Sequence, residues 1–261
     1  MKYIDGPVEL GNLSLKEIPS QLKGITINGR FNIGQNSLIS LKNSPEIING
    51  DFFCTYNKRL TSLIGGPKQV RSIYTHFCNL SNLDGLPELI NKGYQAGSIK
   101  LDLSYNRLVS LQGMPESVNG SVYIDNNPTL TSLRGCTQTI TGDFIANEIP
   151  IKTLEGGPKT VNGSVQLVGT KLESLDGLPT YIGGYLLVGD TPIGKKLFPE
   201  GQMTKNQFDA VNNLFKEINS KSKILLGIYE FEEDAEEELA NDYAEDDEDD
   251  GYYPEYEDEE R

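Results

Sequence analysis

Two stretches of the sequence have the residue types and spacing of ligand-binding loops. Gly189, Gly194 and Lys195 follow the G-x-x-x-x-G-K spacing of a phosphate loop, in which backbone N–H groups and a lysine hold phosphate. However, Lys196 stands where the magnesium-binding Ser or Thr belongs, and Pro199 blocks the helix whose amino terminus would face the phosphate. We interpret this first stretch as a turn leaving a structural unit, and we predict no cofactor.

The second stretch imitates a calcium loop through Asp246, Glu248, Asp250 and Glu257. It lies inside a longer acidic tract, lacks flanking amphipathic helices and contains Pro254, so its spacing follows from composition. We expect only weak, nonspecific binding of divalent cations there.

Cysteine and histidine indicate neither a metal site nor a nucleophile. His76 is the only histidine, and Cys54, Cys78 and Cys136 are too far apart for a zinc motif. Cys54 and Cys78 lie in or beside predicted strands, where a thiol packs as a small apolar side chain. The sequence therefore predicts buried reduced thiols and no enzyme.

A repeated phrase organises most of the chain: Ser-Leu-x-Gly-x-Pro, followed three residues later by an aliphatic residue. Its clearest copies begin at Ser110 and Ser174, and Thr137 replaces the proline in one copy. The leucine recurs every 20 to 28 residues, which is a solenoid period, at Leu15, Leu41, Leu63, Leu83, Leu111, Leu133, Leu154 and Leu175.

Each phrase leads into a turn and an alternating strand, as in residues 119–126. Units of about 22 residues leave no room for a long helix, so stacking predicts a parallel sheet with one strand per coil. The predicted inward columns are Phe31, Phe52, Val122, Phe144, Val165, Tyr185 and Ile33, Cys54, Ile124, Ala146, Leu167, Leu187.

Residues 101–111 carry the motif Leu-x-Leu-x-x-Asn-x-Leu-x-x-Leu, which resembles the signature of leucine-rich repeats. Short units with a proline phrase look like the bacterial-effector type, and like the degenerate versions common in tailed-phage proteins. The resemblance implies a β-rich leucine-rich-repeat solenoid over residues 1–200, with protein recognition through the open face of its sheet. It places the family's ladder asparagine at Asn36, Asn57, Asn106, Asn126 and Asn147.

Two further segments follow the repeats. Residues 201–229 contain a capping box at Thr204 and apolar residues at helical spacing, which predicts a helical cap. Residues 230–261 contain 19 acidic residues and one basic residue, which predicts a disordered acidic tail. We found no leader sequence and no apolar stretch of membrane-spanning length, so we predict a soluble cytoplasmic protein.

Two surfaces have the composition of a binding site. Outward strand positions carry the aromatic and polar side chains that protein interfaces use: Arg30, Asn32, Phe53, Lys100, Asp102, Tyr123, Asp125, Ile145 and Gln166. The tail mixes acids with tyrosines, which suits a basic groove that otherwise holds nucleic acid, at Glu236, Glu237, Glu238, Asp246, Asp247, Asp249, Asp250, Tyr252 and Tyr253.

We therefore expect a non-enzymatic protein-binding module, phage-encoded if the resemblance holds. Its partner would be a host protein such as RNA polymerase or a ribonuclease, with the repeat sheet docking and the tail entering a basic groove. We expect no direct contact with nucleic acid or membrane. The alternative is a structural component of a virion or scaffold, in which the repeats form a rigid spacer and the tail only maintains solubility.

Overall fold

The computed structural model describes residues 2–89 and 99–197 of the 261-residue chain. In these residues the chain forms a parallel β-solenoid with very little helix, namely a 3₁₀ turn at Ser20–Leu22 and the short helix α1 (Pro192–Leu197). The strands are β1 (Tyr3–Asp5), β2 (Val8–Glu9), β3 (Thr26–Asn28), β4 (Phe31–Asn32), β5 (Ile47–Ile48), β6 (Phe52–Phe53), β7 (Gln69–Val70), β8 (Ile73–Tyr74), β9 (Glu88–Leu89), β10 (Ile99–Asp102), β11 (Ser117–Val118), β12 (Gly120–Tyr123), β13 (Thr139–Ile140), β14 (Phe144–Ile145), β15 (Thr160–Val161), β16 (Val165–Gln166), β17 (Tyr181–Ile182) and β18 (Leu186–Leu187).

A coil contributes two strands, so the prediction of one strand per coil is wrong. One strand joins a nine-stranded parallel sheet, the long sheet, in the order β2-β4-β6-β8-β10-β12-β14-β16-β18. The other joins a second wall, formed by β1-β3-β5-β7-β9 and by β11-β13-β15-β17. The aliphatic residue that ends the repeated phrase lies in this second wall, as Ile48 and Val118 do. Most strands of this wall carry a single buried aliphatic residue rather than an alternating run, which is why the pattern did not predict them.

The core lies between the two walls. The repeated leucine is at most 3% exposed in the six middle copies, while Leu15 and Leu175 pack partly buried against the core. In the long sheet the inward column runs Phe31, Phe52, Ile73, Leu101, Val122, Phe144, Val165 and Leu186.

The predicted inward columns are wrong in the last coil. Val165 pairs with Leu186 rather than with Tyr185, and Gln166 pairs with Leu187, which therefore lies on the outward face. Gly183 and Gly184 together occupy the turn positions that precede the strand. The inward position therefore falls on Leu186, one residue later than predicted.

Asparagine side chains tie neighbouring coils together just after the long-sheet strands. Asn57 Nδ2 donates to the carbonyl oxygens of Ile33 and Cys54, each at 3.0 Å, and its Oδ1 accepts from Leu38 N at 3.1 Å. The amide therefore satisfies the buried N–H group of Leu38 and adds a donor to each of the two carbonyl oxygens. The same arrangement recurs at Asn36, Asn106 and Asn127.

The ladder prediction is therefore confirmed for three asparagines and wrong for two. Asn126 precedes the ladder residue Asn127 and has a left-handed backbone, with φ 51°. Asn147 lies elsewhere, and its Oδ1 accepts from Val168 N at 2.8 Å. Two consecutive asparagines at 126 and 127 made the register ambiguous in the sequence.

Helix α1 replaces the turn predicted for the stretch that resembles a phosphate loop. Thr191 Oγ1 accepts from Gly194 N at 2.9 Å, and Ile193 N donates to Leu172 O at 2.8 Å, so the helix packs on the last coil. Lys195 and Lys196 are exposed in its last turn, away from the N–H groups that would hold phosphate. The predicted helical cap (201–229) and acidic tail (230–261) lie outside the described residues.

Candidate functional site

The outward face of the long sheet carries six of the nine predicted binding residues in one column. Strand pairing places these side chains side by side, in the order Glu9, Asn32, Phe53, Tyr74, Asp102, Tyr123, Ile145, Gln166 and Leu187. Ile145 is only 8% exposed, so it contributes little surface. Parallel register therefore assembles one surface from residues that are far apart in sequence.

The other three predicted residues lie in the flanking columns. Arg30 pairs with Glu9, with Nε 2.8 Å from Oε1, and Lys100 lies two positions before Asp102 on β10. Asp125 follows β12, where its Oδ1 accepts from Asn147 N at 2.8 Å and its Oδ2 accepts from Ser104 Oγ at 3.2 Å. Burial, more than any other factor, raises the pKa of Asp125 above its ordinary value.

Aromatic side chains make one part of this face distinctive. Phe53 and Tyr74 stack with their ring centroids 4.4 Å apart and their planes 8° apart. Burial raises the pKa of Tyr74, with the nearby Asp51 carboxylate adding to the effect, so the phenol stays protonated as a hydrogen-bond donor. The sequence pattern missed Tyr74, because Arg71 stands where other coils have the turn glycine that marks the coming strand.

Three more aromatic rings line the corner beside the long sheet. Tyr56, Phe77 and Tyr105, which we call the ring stack, have centroids 4.7 Å and 4.3 Å apart between successive rings. They occupy a column with left-handed backbone, with φ between 52° and 55°. Other coils fill this column with Gln35, Asn126, Glu148, Gly169 and Asp190.

This column shows that the fold does not require aromatic rings at the corner. A left-handed backbone is adopted most easily by Gly, Asn and Asp, and it is unfavourable for bulky side chains. Three successive coils nevertheless carry a ring there, whereas the later coils carry Asn126, Glu148, Gly169 and Asp190, three of which are the favoured types. Departures from local preference concentrate at functional sites, so the ring stack is a candidate binding feature.

His76 links the ring stack to the outward face of the long sheet through Asp102. It packs edge-on against Tyr56 and Phe77, with centroid distances of 5.6 Å and 5.8 Å, and its Nδ1 lies 2.9 Å from Asp102 Oδ2. Together these residues form the aromatic patch, namely Phe53, Tyr56, Tyr74, His76, Phe77 and Tyr105. Tyr56, Phe77 and Tyr105 were not among the predicted binding residues, since left-handed corner positions have no sequence signature of their own, and His76 was not predicted either.

The other candidate groups are placed as packing residues. All three cysteines are buried with free thiols. Contact with Cys78 and burial raise the pKa of Cys54 well above its usual range, and burial raises the pKa of Cys136 to about 12. Among the described residues no group of three His, Cys, Asp or Glu side chains could hold a metal ion, and no helix is long and apolar enough to cross a membrane. The acidic-tail residues lie beyond the described part of the chain.

No protein family, curated protein or solved structure matches the chain. Its function is therefore inferred from the coils and the aromatic patch themselves.

Proposed function

We propose that this chain is a non-enzymatic protein-binding module that docks on its partner through the outward face of the long sheet and the adjoining corner. The aromatic patch carries this proposal. Aromatic side chains bury large areas at low entropic cost and are enriched among the residues that dominate binding energy. Other coils carry small or polar residues at the same corner position, so the fold does not require the rings of the patch.

The coils belong, in this proposal, to the leucine-rich-repeat type. The buried asparagine ladder at Asn36, Asn57, Asn106 and Asn127 supports the assignment, because it coincides with the leucine period and serves the same backbone groups in each coil. A solenoid of this kind presents an extended surface, and neighbouring coils contribute to it one position at a time.

The partner class follows from charge. A tail with 19 acidic residues in residues 230–261 complements a basic groove, such as the channel of RNA polymerase or a ribonuclease. In this proposal the patch supplies the contact area, while the tail increases the association rate and adds selectivity for a basic partner. The contribution of the tail weakens as salt increases.

Affinity capture with patch variants tests the proposal. Full-length chain is immobilised, and bound proteins are identified by mass spectrometry for wild type, for a variant combining Phe53→Thr and Tyr74→Thr, and for Tyr181→Thr as the control. Tyr181 is an exposed tyrosine on the second wall, away from the long sheet. We expect a specific partner that is lost with the double variant and retained with the control.

A second comparison concerns the tail. Replacing Asp246, Asp247, Asp249 and Asp250 by Asn in the full chain should weaken capture at low salt and change little at high salt. Capture that is insensitive to both the patch and the tail would contradict the proposal. It would favour the alternative, a rigid structural spacer found in assembled particles.

A further inference from the structure

The ring stack ends at Tyr105 beside a depression in the surface. Phe77 lies between Tyr56 and Tyr105, but the next position in the same column is Asn126. A shallow depression of about 330 Å³ lies there, lined among others by Phe77, Tyr105, Arg107, Asn126, Pro128 and Glu148. Tyr105 therefore packs on Phe77, lines the depression and is 45% exposed.

Arg107 lines the depression, and two more exposed cations lie two coils earlier, at the matching position of the repeat. Lys58 and Arg59 follow the ladder residue Asn57, and Arg107 follows the ladder residue Asn106. None of these three cations makes an ion pair within residues 2–89 and 99–197. Glu148 is the only acidic residue in the lining of the depression. The corner therefore combines a partly exposed aromatic ring with exposed cations that have no ion pair among the described residues.

We propose that this corner binds an acidic peptide segment that carries an aromatic side chain. The aromatic ring of the segment continues the stack on Tyr105, and its flanking carboxylates pair with Arg107 and with the cations Lys58 and Arg59. The amide of Asn126 offers a donor and an acceptor to a peptide bond of the segment. This inference rests on the proposed protein-binding function and specifies what part of the partner the corner takes.

Single-stranded nucleic acid also combines stacking with negative charge, but the surroundings favour a peptide. A phosphate backbone carries a charge at every nucleotide, and it would pass the carboxylates of Glu148, Asp102 and Asp125 on or beside the same face. A peptide carries charge only at particular side chains, so it can place carboxylates near Arg107 and leave Glu148 opposite a neutral residue.

A labelled peptide of Asp and Glu residues with one central tyrosine tests the inference by fluorescence anisotropy with the full chain. Tyr105→Asn is the informative variant, because Asn already occupies this left-handed column at position 126. We expect Tyr105→Asn to weaken binding about tenfold and Arg107→Gln to weaken it severalfold with a smaller salt dependence. Tyr181→Asn and Arg134→Gln are exposed controls away from the depression and should leave binding unchanged.

A second peptide, with alanine in place of the tyrosine, completes a double-mutant cycle. It should bind wild type and Tyr105→Asn equally, since the ring that contacts Tyr105 is gone. All variants carry the same residues 230–261, whose composition is similar to that of the probe. The comparison therefore uses the ratio of peptide dissociation constants between variants. Circular dichroism shows whether each variant is folded.

Equal binding of the tyrosine peptide by wild type and Tyr105→Asn overturns the inference. So does a single-stranded oligonucleotide that binds more tightly than the peptide and depends on Tyr105. If the partner captured by the full chain depends on Phe53 and Tyr74 while the peptide ignores Tyr105, the corner site fails and the proposed function stands. If the peptide depends on Tyr105 while capture ignores Phe53 and Tyr74, the corner site stands and docking through the sheet face fails.

Discussion

At the scale of single residues, buried polar side chains contribute much of the stability of this solenoid. Asn57 donates to the carbonyl oxygens of Ile33 and Cys54 and accepts from Leu38 N in a position with no solvent exposure. A small apolar residue there would leave the buried Leu38 N–H without an acceptor, which costs about 1–3 kcal/mol, and would remove one donor from each carbonyl oxygen. The ladder thus links stability of one coil to the presence of the next.

Replacing Asn57 by alanine should lower the free energy of unfolding by about 1–3 kcal/mol, because the buried Leu38 N–H loses its acceptor and two carbonyl oxygens each lose a donor. Urea unfolding followed by circular dichroism measures the change. Asn162→Ala is the matched control, since Asn162 is exposed, and it should change stability by less than about 0.5 kcal/mol. Similar values for both variants would contradict a structural role for the ladder.

Asp125 is a carboxylate whose burial works against folding at neutral pH. Its pKa is raised in the folded protein, so the folded state binds the proton more tightly than the unfolded chain. The resulting stabilisation is fully present below the ordinary pKa of 3.8 and is lost as the pH rises through the raised value. Asp125→Asn keeps an oxygen that can accept from Asn147 N and removes this dependence.

We therefore expect Asp125→Asn to be more stable than wild type at pH 7, with the difference vanishing at pH 3. Urea unfolding across this pH range measures it. Asp84→Asn, at an exposed position, should show no such trend. A variant that is less stable than wild type at pH 7 would show that the hydrogen bond from Ser104 Oγ to Asp125 Oδ2 outweighs the effect of burial.

At the scale of elements, the turn between the two strands of a coil depends on close contact between the backbones of neighbouring coils. A Cβ atom at Gly50 would lie 2.5 Å from the carbonyl carbon and oxygen of Gly29 in the preceding coil. The backbone cannot move aside without shifting both β5 and β6. The glycine in this turn therefore sets the distance between coils.

Gly50→Ala should lower the free energy of unfolding by about 1–3 kcal/mol, since overpacking forces the backbone of two coils apart. Thermal unfolding followed by circular dichroism gives the comparison. Gly11→Ala is the matched control, because a Cβ there meets only the flexible side chain of Asn32, at 3.2 Å or more. A Gly50→Ala protein as stable as Gly11→Ala would mean that the coils tolerate a wider spacing.

The same elements show how far the sequence predicts the structure. Alternation over the residues in and beside strands such as β12 and β14 was long enough to predict most of the inward column of the long sheet through Val165, but not Ile73 or Leu101. The second wall was missed because backbone hydrogen bonds between coils, rather than side-chain alternation, define its two-residue strands. Most of the aromatic patch was missed for a related reason: corner and turn positions are set by backbone conformation, which Tyr56 and Phe77 do not reveal in sequence.

The coils contact mainly their neighbours, and this determines how the whole molecule responds to change. Each strand of the long sheet pairs with the strands of adjacent coils only, in register, so coils are close to interchangeable units. The aromatic patch spans only the coils from β6 to β10 and the corners beside them. Stability is therefore distributed along the solenoid, whereas the candidate binding surface is local.

Deleting one complete coil tests this division. Removal of residues 164–184 joins Gly163 to Tyr185, which occupy consecutive positions in the repeat because Gly163 N bonds to Gly142 O as Gly184 N bonds to Gly163 O. This coil contributes no residue to the depression, so we expect a folded solenoid with a lower urea m-value, since less surface is exposed on unfolding, and with unchanged binding of the tyrosine peptide. Removal of residues 164–179 breaks the register and should abolish the cooperative transition. If the in-register deletion unfolds as the out-of-register one does, or loses peptide binding while folded, then stability and binding are not separable along the chain.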